Sequence, residues 1–161
     1  MTRSKPTPEV PSALPQGCTN LQLRQLMRQV TQHYDAQMAA SGLKTTQYSL
    51  LSTVLKLGPA RPSDLASALK MDPSTLTRNL KPLIAAGWVE MTAGIDARSR
   101  AVSITAAGRA KRSEAQRHWK VAQDSLNQTL GVTRVLALHA LIHESLALLA
   151  PGEAEHDLIS C

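Results

Sequence analysis

Between Arg61 and Gly108 the chain alternates helical and strand periodicity, with a turn signal at each change, and that punctuation leaves few folds open. Pro62 and Ser63 supply start chemistry for a helix over Ser63–Leu69, in which Leu65, Ala66 and Leu69 recur at helical spacing. Lys70 to Asp72 make a turn. A second helix opens at Asp72, whose carboxylate can accept from an orphan backbone N–H, with Pro73 at the first helical position, where no donor is missed. Leu76, Leu80, Leu83 and Ile84 fall on one face, leaving Ser74, Thr75, Arg78, Asn79 and Lys81 on the others and Thr77 at the boundary. Pro82 predicts a kink or an early end, because it deletes one backbone bond and crowds the carbonyl of Arg78. Gly87 is the stop signal.

Trp88–Thr92 then reads as a short strand and Ala101–Thr105 as a second one with alternating apolar positions, joined by a polar loop. Asp96 in that loop reads as structural, through turn hydrogen bonds or pairing with a nearby arginine. Helix, turn, helix, strand, basic turn, strand, helix is the order of a winged helix-turn-helix, predicting a mainly α fold with a small β-hairpin wing. On that reading residues 73–86 form a recognition helix. Ser74, Thr75, Thr77 and Lys81 suit phosphate contacts, and Arg78 and Asn79 have the forked chemistry that reads guanine and adenine. Arg98 and Arg100 flank the turn of a wing at 93–100 and suit the negative potential of a narrow minor groove. An ordinary amphipathic surface helix has the same stripe, so the helix alone decides nothing.

The run LASALKMDPSTLTRNLKPLIAAGWVEMTAGIDARSRAVSITAAG resembles the core of the MarR family of bacterial transcriptional regulators. The resemblance is carried by the two-helix unit, the glycine and strand after it, Asp96 and Arg98 in the wing, and the exit at Ile104, Thr105 and Gly108. Flanking helices extend it from about Thr19 to Leu149. It implies a homodimeric winged-helix protein, usually a repressor, that leaves its operator when a small molecule or an oxidant acts on it.

Charge distribution points the same way. The chain has a net charge of +6, and between Arg61 and Arg112 nine Lys/Arg face four Asp/Glu, so the excess is concentrated in the expected reader. Outside it lie apolar helices. Leu21–Ala40 puts Leu23, Leu26, Met27, Val30, Tyr34 and Met38 on one face and closes at Gly42; Thr46–Leu57 follows. Thr105 can cap a helix reaching about Leu130, with Ala115, Trp119, Ala122, Leu126 and Leu130 in a stripe. After Gly131, Thr133–Leu149 is apolar enough to want a partner. The expected organisation is an arm at 1–17 with four prolines and no order of its own, one unit at 18–150, and a flexible tail at 151–161. Within the unit, 18–44 and 106–150 are dimerisation helices and 45–105 is the DNA-binding domain. Two-fold pairing would make the operator pseudo-palindromic, with half-sites about 10 bp apart or a multiple of that.

Several classes are expected to be absent. No stretch approaches the roughly 18 apolar residues of a membrane span, and the N-terminus lacks an apolar leader, so a cytoplasmic protein is expected. No phosphate loop, nucleophile elbow or zinc-protease motif occurs, and neither enzymatic activity nor a cofactor is expected. His139 and His143 share a helix face and can hold a metal, but an interface histidine pair is the favoured reading and no metal site is assigned. Cys18 precedes the first helix, where redox sensing competes with an inert thiol; in the peroxide-sensing members of the family the sensor position aligns with Asn20, Thr45 replaces a supporting tyrosine, and only Tyr34 matches. For an effector, the family's cleft lies between the dimerisation helices and the reader. Arg24, Arg28, His33, Tyr34 and Tyr48 are candidates to line it for a small aromatic acid, against the alternative that Tyr34 is core and His33 surface. Double-stranded DNA, a second copy and that effector are the expected partners. A non-specific architectural DNA binder is the rival function.

Overall fold

Local chemistry sets where most elements begin and end in the computed structural model, which describes residues 16–93 and 100–149. The wing tip at 94–99, including Asp96 and Arg98, the tail at 151–161 with Cys161, and nearly all of the arm lie outside the described residues. In order the elements are α1 (Thr19–Met38), α2 (Thr45–Leu57), α3 (Pro62–Ala68), α4 (Pro73–Ala85), β1 (Val89–Ala93), β2 (Arg100–Ile104), α5 (Ala106–Leu130) and α6 (Val132–Leu149). A single 3-10 turn, Ala39–Ser41, extends α1 to Gly42, whose φ of 69° is the left-handed stop the sequence implies. Asp35 reaches forward from α1 to cap α2, accepting from both the amide (2.8 Å) and the hydroxyl (2.7 Å) of Thr45. Gln47 Oε1 accepts from the Lys44 amide at 2.9 Å, completing that helix start.

β1 and β2 form an antiparallel hairpin from Val89↔Ile104 to Ala93↔Arg100. Ala60 adds a short third edge through a reciprocal pair of backbone bonds with Val102. Beneath the hairpin sits the core, in which Met38, Leu51, Val54, Leu65, Leu76, Leu83, Val89 and Val102 are almost wholly removed from water. Those residues come from α1, α2, α3, α4 and both strands, so one apolar cluster fixes the reader against its neighbours. The result is the expected winged helix-turn-helix with long flanking helices.

Three expectations are corrected. α4 does not end early at Pro82 but runs through it to Ala85. Arg78 and Pro82 both lie on its exposed side, where water can satisfy a carbonyl that proline leaves free. Ile84 is 38% exposed and does not join the buried stripe, because Leu76, Leu80 and Leu83 already fill the space beneath α4. Finally, α6 spans 18 residues at mean hydropathy 1.4 with 6% buried, so by length and composition it is apolar enough to cross a membrane. His139, His143, Arg134 and Glu144 interrupt that surface, and Val135 packs inward at 6% exposure.

Candidate nucleic-acid interface

α4 is positioned at its N-terminus by Asp72, which accepts from the amides of Ser74 (2.8 Å) and Thr75 (3.3 Å) and from the Ser74 hydroxyl. The Ser74 hydroxyl, the two amides and the charge of Arg78 hold the Asp72 carboxyl below its ordinary value. The turn before it is tight. Lys70 adopts φ 50°, a left-handed conformation that costs a residue with a Cβ about 1 kcal/mol. With its back in the core, the helix presents Ser74, Thr77, Arg78 and Lys81 to solvent and Thr75 half-buried.

Those side chains are not equally free. Arg78 Nη2 donates to Thr75 Oγ1 at 3.2 Å, which pre-positions the guanidinium along the exposed face. Thr77 Oγ1 donates back to the Pro73 carbonyl at 2.9 Å, so its hydroxyl proton is already engaged. Asn79 differs from the rest: half-buried, it turns its amide toward the Met71 sulfur at 3.5 Å. Arg100, at the base of the wing, is exposed.

The hairpin and α4 meet α5 at Thr105. Its hydroxyl donates to the carbonyl of Gly87 (2.7 Å), with a longer approach to that of Trp88 (3.2 Å), and accepts from the Gly108 amide (3.0 Å). Gly108 is required by contact rather than by φ. A Cβ there would lie 1.9 Å from the Trp88 carbonyl oxygen.

Four of the five candidate effector residues lie on α1 and Tyr48 on α2, and His33, Tyr34 and Tyr48 are engaged in packing contacts. Arg24 and Arg28 are exposed on α1. His33 Nε2 donates to the Ala122 carbonyl at 3.1 Å, and the Tyr34 hydroxyl donates to Gln123 Oε1 at 2.6 Å, so both serve the α1–α5 contact. Burial raises the Tyr34 phenol above its usual value. Tyr48 stacks on Trp119 with ring centroids 5.9 Å apart, and the Arg112 guanidinium lies over the Tyr48 ring, 5.6 Å from its centroid, while Arg112 Nε donates to Ser52 Oγ at 3.1 Å. A cavity of about 280 Å³ lies elsewhere, lined by Lys44, Thr46, Gln47, Asn79 and Pro82 between the start of α2 and α4. Sequence reasoning missed this lining. The Lys44-to-Gln47 helix start was readable as a cap, but its approach to Asn79 depends on how α2 and α4 pack.

Comparison with known proteins agrees with the geometry. Residues 43–96 match the MarR family profile. The DNA complex of the Mycobacterium tuberculosis transcriptional regulator MosR is 32% identical, at TM-score 0.67, over 80% of this chain and 98% of that one. The chain belongs to the MarR family. An HTH-type regulator of Bacillus subtilis, YwoH, is 31% identical over 84 residues, 52% of this chain; the match spans 61% of that relative's length. A MarR mutant from E. coli complexed with operator DNA shares the fold at TM-score 0.73 and 21% identity, over 79% of this chain and 92% of that one. These MarR-type relatives are transcriptional regulators, not enzymes.

Proposed function

We propose that this MarR-family chain acts as a homodimeric transcriptional regulator, a repressor by default, that binds a pseudo-palindromic operator through recognition helix 73–86 and wing 93–100. The observation that carries this is the capped helix α4, buried by its leucines on one side and presenting Ser74, Thr77, Arg78 and Lys81 on the other. The DNA-bound state of MosR, which aligns along nearly its whole length, supports the same use here. Thr75 and Asn79 complete the face, and Arg98 and Arg100 carry the wing's charge. Assembly through α1 and α6 is supported by their exposed leucines, among them Leu23, Leu136 and Leu146.

The test is binding of the purified protein to DNA fragments it selects from a random pool, measured by anisotropy against unselected DNA over a salt series. A regulator keeps a large specificity ratio as salt rises, whereas equal affinities would leave only an architectural DNA binder. Arg78→Ala should cost about 1–3 kcal/mol and relax base preference at one position per half-site. Arg98→Ala should weaken all sequences alike.

Release by a small aromatic acid is the regulatory part of the proposal. The cavity beside Asn79 and Pro82 favours a site against the recognition helix over the cleft expected at Arg24, Arg28, His33, Tyr34 and Tyr48, whose rings are engaged in packing. A thermal-shift panel of aromatic carboxylates, repeated on Lys44→Ala, tests it; no shift across the panel sinks the idea. Cys18, exposed at the N-terminal cap of α1, supports the redox alternative. Loss of operator binding on peroxide treatment, abolished in Cys18→Ser, would decide for it.

A further inference from the structure

α6 carries a feature that DNA reading does not use. Val132, Leu136, His139, His143 and Leu146 follow one another at alternating steps of four and three residues, the spacing of a coiled-coil seam. The seam is exposed along its length: Val132, Leu136 and Leu146 are 61%, 64% and 59% exposed, and only Val135, on the flank of the seam, packs inward. At the middle of this apolar stripe stand two exposed imidazoles, with ring centroids 6.5 Å apart and ring planes 37° from parallel.

Covering such a seam with a second copy would place both imidazoles in an apolar contact, where polar nitrogens without partners are costly. A metal ion removes that cost. Two histidines four residues apart on a helix chelate a divalent ion at about 2.0–2.1 Å per nitrogen, within reach of a modest side-chain rotation from the observed separation. The pair is incomplete alone: among the described residues no group of three or more His, Cys, Asp or Glu is placed to hold a metal. Arg134 does not compete with a cation there, since it turns back to the Leu130 carbonyl. Glu144 lies off the seam by helical spacing.

We propose that His139 and His143, together with the same pair from a second copy, bind one divalent transition-metal ion of the zinc class at the centre of an α6–α6 seam. Four imidazole nitrogens are the donor set of a closed tetrahedral site, and the ion ties the two protomers together. The assignment rests on the two-fold assembly proposed above.

The experiment uses the full chain stripped with chelator, then titrated with Zn²⁺ alone while metal content and sedimentation are followed, and with Co²⁺ for its absorption spectrum. A single ion per dimer, a tetrahedral Co²⁺ spectrum and a dimer dissociation constant lowered about tenfold or more are expected. His139→Gln with His143→Gln should lose all of these yet still dimerise without metal, and His139→Cys, which keeps a donor, should retain the ion. Unchanged zinc uptake by the double variant, or two ions per dimer with no effect on assembly, would overturn the site. A wild-type chain dimeric with and without zinc, binding none, removes this proposal alone; one monomeric in both removes the dimer as well.

Discussion

The reader and the outer helices solve the same burial problem in opposite ways. Between α3 and β2 the apolar residues find one another within the chain, and Leu65, Leu76, Leu83 and Val102 reach zero exposure. Along the N-terminal half of α1 and most of α6 they do not: Met27 stays 64% exposed and Leu149 81%. A region whose core closes on itself is folded by its own sequence. A region left open this way is what the two-fold assembly proposed above would cover.

The sharpest way to break that comparison is to spoil the open region alone. Leu136→Glu with Leu146→Glu should yield a monomer whose reader still melts cooperatively, while operator affinity falls about 10²–10⁴-fold because two half-sites are no longer linked. Sedimentation and anisotropy on the same sample check both halves; a variant that unfolds would show that the regions are not separable. Gly108→Ala attacks the closed region instead. Its methyl must displace the Trp88 carbonyl and Ile104, at 1.9 and 2.9 Å, so stability should drop by about 1–3 kcal/mol with assembly untouched. The same region contains a strain that can be relieved: Lys70→Gly at φ 50° should raise the unfolding free energy slightly, by no more than about 1 kcal/mol after the greater chain entropy of glycine is set against it, read from a denaturant unfolding curve. The smallest effect expected is from acid. Asp72 has its carboxyl lowered in the folded state, so its contribution is present above the ordinary carboxylate range and is lost as pH falls through the lowered value. Asp72→Asn should flatten that acid limb of the unfolding curve, and an unchanged limb would assign it to other carboxylates.

How far the sequence could be read follows the same division. Asp72 and Thr105 as caps, and Gly42, Gly87 and Gly131 as stops with φ of 69°, 70° and 81°, were legible because each involves neighbours within a few residues. Element order and the basic face of α4 followed from them. Contacts between distant segments were not legible. Nothing local says that Tyr48 will stack on Trp119, that Tyr34 will bond Gln123, or that Asn79 will turn from the exposed face to Met71. Pro82 misled for the opposite reason, since local chemistry predicts a break and an exposed helix side tolerates it.

Thr105 has a mechanical consequence. Its one hydroxyl joins Gly87 just beyond α4, Trp88 just before β1 and the first turn of α5, three segments held at a single point. A pinned joint transmits rotation without allowing its arms to slide past one another. A tilt of α5 would therefore carry the end of α4 and the start of the hairpin with it, so that on the DNA-binding mode proposed above helix and wing would move together.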